Sequence, residues 1–360
     1  MFAAAMQHRT RPVVAQIVPI RRCNLACAYC NEYDGHSAPV PLPEMLARID
    51  QLAALGVSVI TISGGEPLLH PQLDDIIRRI RSHGAIATLI SNAYLLSPQR
   101  IQALNRAGLD YLQVSIDNAR PDNVSMKSLS VLARKLEWLA AEADFSITIN
   151  SVLGIDVRSP EDALAVARRA RSLGFHSTVG IAHDGRGQSP ALPESQFRIY
   201  QEIRRMETGV FSFAHYDRFQ ENLVRGLPNH WHCRAGARFL YICENGLVHW
   251  CSQQRGNPGI PLAAYTPRDV ERQYAAGKEC APFCGISCVH QTAMLDHIRE
   301  NPRRMLRDLI ERRRATDPDF RVPALLRLIQ WAFLDNPHSE RIRKFFVRLL
   351  GLRAPQPPQA

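Results

Sequence analysis

The residues whose types and spacing could do chemistry are the nine cysteines, and they are grouped. Cys23, Cys27 and Cys30 fall within eight residues in the spacing C-x3-C-x2-C, directly after the apolar, β-branched run Val13 to Ile20. Three thiolates on one short loop make a tripod. A structural zinc site wants four protein ligands, and His36 is the only local residue to offer a fourth. An iron–sulfur cubane held by three thiolates leaves one iron open, which suits a cluster that must also bind a small molecule. A second group, Cys280-x3-Cys284-x3-Cys288, lies far downstream, with Cys233, Cys243 and Cys251 between the two. Its neighbours His232, His249 and His290 also leave a zinc knuckle open. In a cytosolic protein such groups favour metal or redox chemistry over disulfides, and an odd total argues against complete pairing.

The elements that must position these residues follow from periodicity. Strand-like runs at Val13–Ile20, Val57–Ser63, Ala85–Ser91, Asp110–Ile116, Phe145–Leu153 and Phe175–Ile181 alternate with amphipathic helices at Pro43–Leu55, Leu73–Ser82, Pro98–Ala107, Lys127–Ala141, Pro160–Leu173 and Glu194–Met206. Several of the helices stop at a glycine, a C-cap signal. Regular alternation of this kind implies a parallel sheet with crossover helices, either open and doubly wound or curled into a partial (βα) barrel. In both, ligands gather at the C-terminal ends of the strands. The cysteine loop, Gly64–Pro67, Ser91-Asn92, Asp117 and Asn150 all stand at or near such ends. From Trp231 the character changes to cysteines, aromatics and a hairpin signal, Asn245-Gly246 between two apolar runs.

At these residues the chain resembles the radical S-adenosylmethionine (radical SAM) enzymes. The resemblance rests on Cys23-x3-Cys27-x-Tyr29-Cys30 after the first strand and Gly64-Gly65-Glu66-Pro67 after the second, and covers about residues 13–207. It implies that Cys23, Cys27 and Cys30 ligate three irons of a [4Fe–4S] cluster and that the amino and carboxylate groups of SAM chelate the fourth. It implies that backbone groups of Gly64–Glu66 meet the methionyl ammonium and that Tyr29 lies near the adenine. One-electron reduction, by a partner such as flavodoxin or ferredoxin, would cleave the sulfonium to methionine and a 5′-deoxyadenosyl radical, which abstracts hydrogen from substrate. Ser91-Asn92 resembles the family's next polar strand end, with Ala93 where glycine is usual. Ser115 and Asp117 resemble the one after, with Asn118 where glycine is common; asparagine tolerates the left-handed region, so the turn remains compatible. Asn150 would contact ribose or carboxylate. The glycines at 64 and 65 would let backbone approach a ligand without Cβ interference. Gly185-x-Gly187 lacks the G-x-G-x-x-G pattern and reads as a loop, not a nucleotide site.

Cys233, twelve residues and then Gly246-x4-Cys251 resemble the opening of the SPASM or twitch extension found after radical SAM cores. Cys280, Cys284 and Cys288 would supply the closing ligands of an auxiliary [4Fe–4S] cluster. The full extension carries C-x2-C-x5-C-x3-C and a further cysteine, enough for two clusters. The shorter set here implies one, with Cys233 and Cys251 as ligands and the remaining two drawn from Cys280, Cys284 and Cys288, Cys243 competing.

The expected architecture is therefore α/β: a partial (βα)6 TIM-like barrel, a small cysteine-rich β-hairpin domain and a C-terminal helical tail. The boundaries are an N-terminal segment 1–12, the core 13–207, a linker 208–230, the cysteine-rich unit 231–292, the tail 293–353 and a disordered end 354–360. The chain has 46% hydrophobic and 22% charged residues, ordinary for a globular protein. It has no apolar run of transmembrane length and no secretory h-region, so a cytoplasmic location is expected. Of the net charge of +10, +7 lies in residues 301–360, so the basic character belongs to the tail and nucleic-acid binding is not expected of the body. Glu340–Leu350 places Ile342, Phe345, Phe346, Leu349 and Leu350 on one face, and Leu325–Leu334 adds Trp331 and Phe333. The tail reads as a packed helix or as a peripheral anchor on the anionic inner face of a membrane. The substrate classes implied are a peptide or protein side chain, or, through the tail, a membrane lipid or polyprenoid. A non-catalytic iron–sulfur or zinc protein is the reading of a different class. Cys243, His183, Asp184 and Tyr94 are placed to act on the substrate side.

Overall fold

The computed structural model describes residues 10–30, 32–154, 157–184, 188–206 and 218–300, with a few positions beyond. Residues 1–9, the glycines of 185–187, residues 207–217 and the tail segments 325–334, 340–350 and 354–360 lie outside or almost wholly outside them, and so do the readings made there.

Six strands form the parallel core: β1 (Val14–Ile20), β2 (Val59–Gly64), β3 (Ile86–Ser91), β4 (Tyr111–Ser115), β5 (Ser146–Leu153) and β6 (His176–Ile181). Each pairs with the next in sequence, as right-handed βα crossovers dictate. The helices between them are α1 (Leu42–Ala54), α2 (Leu73–Ser82), α3 (Pro98–Ala107), α4 (Leu129–Glu142), α5 (Glu161–Ser172) and, after β6, α6 (Glu194–Arg205). Their ends follow local chemistry. In α2, Leu73, Ile76, Ile77 and Ile80 are buried, with Asp74 and Asp75 in the first turn and Arg79 and Arg81 in the last, matching the helix dipole. In α3, Ser97 Oγ accepts from the Arg100 N–H, Pro98 takes the first helical position and Gly108 closes the helix at φ 85°.

The strands have two faces. Ala15, Ile17, Ile60, Ile62, Ala87, Leu112, Val114 and Ile149 pack under the helices into the main core. The alternate positions, among them Gln16, Thr61, Thr88, Gln113, Asn150 and Thr178, line an internal cavity.

The barrel is open, and β1 shows why. Its second edge is taken by β7 (Phe239–Ile242), also parallel, in the register Gln16↔Tyr241, so it has no edge left for β6. The expected hairpin is present: β7 turns at Asn245-Gly246 into β8 (Leu247–His249), with Ile242 opposite Val248. A further strand, β9 (Pro258–Pro261), escapes sequence reading because proline bounds it at both ends; it lies on the sheet edge, where a missing N–H is tolerated. One nine-stranded sheet in the order β6-β5-β4-β3-β2-β1-β7-β8-β9 thus runs through both the core and the cysteine-rich region. The short α7 (Arg218–Val224), α8 (Pro267–Ala275) and α9 (Ser287–Glu300) complete it. Asp296 on α9 forms a buried ion pair with Arg238, 3.2 Å, just before β7. Among the described residues no helix is long and apolar enough to cross a membrane.

Candidate active site

The loop after β1 presents Cys23, Cys27 and Cys30, all free. It is tied at both ends. The Cys23 N–H donates to Asp34 O at 3.0 Å, Asp34 N–H returns to Arg21 O at 3.1 Å, and Ala28 N–H donates to Val124 O at 2.9 Å. Burial raises the thiols of Cys23 and Cys30. Ligation needs the thiolate, and donors are present to favour it. Leu25 N–H lies 3.4 Å and Asn92 Nδ2 3.7 Å from Cys23 Sγ. Among the described residues no three Cys, His, Asp or Glu side chains converge closely enough to hold one metal ion. His36, the local fourth-ligand candidate, has an 88% exposed side chain set against Asp34 instead.

Gly64 and Gly65 end β2 beside this loop, for a different reason from the expected one. A Cβ on Gly65 would lie 2.2 Å from Arg21 O and 2.4 Å from Arg22 O; one on Gly64, at φ 124°, would lie 2.5 Å from Ile20 O. The close approach that demands glycine is to the backbone entering the cysteine loop. Glu66 is wholly buried. Its carboxylate accepts from Leu68 N–H at 3.0 Å, Ser91 Oγ at 2.8 Å and Asn92 N–H at 2.8 Å, joining the ends of β2 and β3. Burial raises its pKa against those three donors. Pro67 starts a short 3-10 turn beneath it. Asn92 donates to Asn24 Oδ1 at 2.9 Å, so this strand end also holds the cysteine loop. Ala93 adopts φ 62°, the left-handed conformation that explains why glycine suits the position.

Asp117, at the end of β4, is the hub of a buried network. It accepts from Tyr29 Oη at 2.5 Å and Ser125 Oγ at 2.7 Å, and pairs with Lys127 Nζ at 3.1 Å. Burial would lower the Lys127 pKa, but the charges of Asp117 and its neighbours outweigh this and raise it. Tyr29 is 55% exposed along its ring, beside the cavity, with Lys127 Nζ 5.0 Å from the ring centre. The second Asp117 oxygen is buried without a hydrogen-bond partner among the described residues, and Asp117 lines the cavity. Ser115 sits in register with Asn150, and Asn150 accepts from Thr178 Oγ1 at 2.9 Å on the cavity wall. Asn118 corrects the expected left-handed turn: Ala93 is the only described non-glycine residue at positive φ, and Asn118 shapes its loop by donating from Nδ2 to Ser125 O at 3.3 Å.

The cavity holds about 840 Å³ between the Tyr29–Asp117 end and the start of α9. Its floor sets uncharged polar side chains among apolar ones such as Val14, Val59, Ile90 and Val152, with Thr88 Oγ1 on Thr61 Oγ1 at 2.8 Å and Gln16 Nε2 on Ser63 Oγ at 2.7 Å. Of the residues placed on the substrate side from sequence, His183 lines the cavity. Asp184 instead caps the following loop through Gln188 N–H at 2.9 Å. Tyr94 donates to Met126 O, and Cys243 is buried at the end of β7. Sequence reading missed the floor itself, although polar residues at every second position of otherwise apolar strands are a signal for it. It also missed Ser125 and Lys127, whose loop carries no strand or helix pattern.

The downstream cysteines form one neighbourhood. The thiols of Cys233, Cys251, Cys280 and Cys284 all interact electrostatically with one another. Burial pushes Cys233 up to about 11 and Cys251 up to about 12. Cys288 stands at the margin. It interacts with Cys251 of this set, is pushed up to about 12 by burial, and lies 4.0 Å from Gln16 Oε1 on the cavity side. His290, two residues on, packs edge-on against Trp231 at 4.9 Å.

The chain is similar to known proteins both in sequence and in fold. A model of the radical SAM superfamily matches residues 17–191. A PqqA peptide cyclase from Ruegeria pomeroyi is 36% identical over 289 residues, covering 75% of this chain and 76% of that protein. A GTP 3′,8-cyclase from Aquifex aeolicus is 27% identical over 268 residues, covering 67% and 82%. In fold, the chain is similar to anSMEcpe, solved with bound AdoMet and the Cp18Cys peptide, at a TM-score of 0.54 and 12% identity over 83% of this chain and 99% of that one. With a relative 36% identical over three quarters of its length and the family model over its parallel core, the chain belongs to the radical SAM superfamily of enzymes, whose cofactors are a [4Fe–4S] cluster and S-adenosylmethionine.

Proposed function

We propose that this enzyme acts on a peptide or protein side chain held in the cavity between two iron–sulfur sites. Cys23, Cys27 and Cys30 hold the first cluster, and SAM binds its open iron along Gly64–Pro67, Ser91-Asn92, Tyr29, Ser115, Asp117 and Asn150. When reduced by a one-electron donor of the flavodoxin or ferredoxin kind, this pair supplies hydrogen abstraction from carbon. The chain's own residues do the rest. Asp117 fixes the Tyr29 ring and offers its free oxygen to a hydroxyl donor, while Glu66 locks two strand ends at the tripod. The uncharged floor orients substrate by hydrogen bonds and keeps charge from the reacting carbon. Cys233, Cys251, Cys280 and Cys284 hold a single auxiliary cluster. The observation that carries the reading is a cavity lined by Tyr29, from the tripod loop, and by Cys288, beside the downstream thiols.

A peptide is favoured over a lipid because a relative covering three quarters of the chain is a peptide cyclase and the structural neighbour was solved with a peptide bound. The lipid reading rests on the tail. Anaerobic reconstitution tests the clusters: about eight irons per chain support two [4Fe–4S] sites, and about four would remove the auxiliary one. A perdeuterated peptide pool should transfer deuterium to 5′-deoxyadenosine. Transfer from deuterated membrane lipid alone, together with liposome binding lost on truncation at Pro337, would replace the peptide by a lipid.

A further inference from the structure

The proposed auxiliary site uses four of the six cysteines from Cys233 onward; of the other two, Cys243 is buried at the end of β7, and Cys288 has its own setting. Cys288 opens α9 and lines the same cavity as Tyr29 and Asp117. It is part-exposed, and the surface it reaches is the cavity wall. Its neighbour across the wall is the Gln16 amide, on the strand that leads to the tripod. A second group marks this stretch of wall as a place for a ligand. His290 also lines the cavity, is 7% exposed, and its Nε2 is buried with no hydrogen-bond partner among the described residues. A buried imidazole nitrogen left without a partner is costly unless something enters to meet it.

We propose that Cys288 is a free thiol of the reaction cavity and hands its hydrogen atom to a carbon radical formed there, with His290 Nε2 meeting a polar group of the same substrate. The inference rests on the radical SAM reading and on the four-cysteine assignment of the auxiliary site. The step balances as follows. The S–H bond breaks homolytically, the new C–H bond forms, and a thiyl radical remains on Cys288. The thiyl takes one electron from the one-electron donor that the reaction class already requires, and one proton from water, to restore the thiol.

Two measurements on the reconstituted full-length enzyme test the placement without turnover. Anaerobic iodoacetamide followed by peptide mapping should alkylate Cys288 at least about tenfold faster than Cys284, because ligation protects a thiolate. Cys288→Ala should keep the wild-type iron content, whereas Cys284→Ala should lose it at the auxiliary site. Protection of Cys288 equal to that of Cys284, or iron loss in Cys288→Ala, would make it a ligand and overturn the proposal. A third measurement tests the hydrogen. With SAM and dithionite in deuterium oxide and no substrate, the exchangeable thiol should label the 5′-deoxyadenosine formed, and Cys288→Ala should cut that label several-fold while Gly277→Ala does not. Equal labelling in all three would reject the donor role. Absence of 5′-deoxyadenosine from the wild type would instead strike the superfamily chemistry, leaving the alkylation and iron results to judge Cys288 by themselves.

Discussion

Replacing Gly65 by alanine probes how the tripod is held. The new Cβ would stand 2.2 Å from Arg21 O, 2.4 Å from Arg22 O and 2.6 Å from the Arg22 carbonyl carbon. Close carbon–oxygen contacts settle near about 3.3 Å, so one chain must retreat by about 1 Å. Neither retreats freely. Gly65 N–H donates to Ile20 O at 3.1 Å and Glu66 N–H to Arg22 O at 3.0 Å, while Arg21 O already accepts from Asp34. Losing the first two bonds costs about 0.5–1.5 kcal/mol each, and overpacking adds about 1–3 kcal/mol, so the local cost is about 2–6 kcal/mol. Cys23 follows Arg22 directly and shares the displacement. A misplacement of about 1 Å is worth about a hundredfold in rate. Gly65→Ala should therefore lose most iron from the tripod while keeping it at the downstream set, and cleave SAM about a hundred times more slowly. Gly277 is the control: a Cβ there meets nothing within 4 Å and its φ is unremarkable, so Gly277→Ala should match the wild type. A Gly65→Ala protein with full iron content and an unchanged melting temperature would refute the reasoning.

Other outcomes follow from the same geometry. Asp117→Ala leaves Lys127 buried without its counter-charge and should destabilise the apoprotein by about 3–5 kcal/mol, with Asp117→Asn milder; urea midpoints check both, and equal midpoints would remove Asp117 as the hub. Glu66→Gln turns an acceptor oxygen into a donor facing N–H and O–H groups, at a cost of about 1–3 kcal/mol and with reduced iron uptake at the tripod. Asp50 accepts both Nε and Nη2 of Arg79 at 2.7 Å; this, with His83, holds its carboxyl down at about 2. Because the folded value is the lower one, the contribution is present above the unfolded value near about 4 and is lost as pH falls towards about 2. The apoprotein should lose stability over that window more steeply than Asp50→Asn, and parallel slopes would discount the pair.

Much of this was legible because the code for it is local. The helix at Leu73–Ser82 and that at Pro98–Ala107 are bounded by residues that cap or break, and both boundaries are observed as read. The tripod and the Gly64–Pro67 strand end are contiguous motifs on such elements. What escaped depends on partners distant in sequence. Nothing in Phe239–Ile242 announces a parallel partner more than two hundred residues earlier, and that pairing decides that the barrel stays open. Gly65 reads as a ligand-facing glycine until Arg21 and Arg22 are seen behind it. Cys288 reads as one more member of a cysteine series, because spacing along the chain does not record that the first turn of a helix aims it at a cavity.

The position of β1 ties these points together. It is hydrogen-bonded on both edges, Gln16 standing between Thr61 and Tyr241. Its C-terminal end carries the tripod, and its β7 neighbour carries Tyr241 into the cluster of side chains that includes Cys233, Cys251 and Cys284. Tyr241 Oη in turn donates at 2.6 Å to Glu32, a half-buried carboxyl two residues past Cys30. A strand ladder and a part-buried hydrogen bond therefore tie the tripod loop to the strand that enters the downstream thiol cluster. A slip of β7 by one residue would turn Tyr241 to the opposite face and break its bond to Glu32. The cavity wall beside this ladder is built from the loop at 117–125 and from the start of α9 at 285–291, segments that can change without moving the strands.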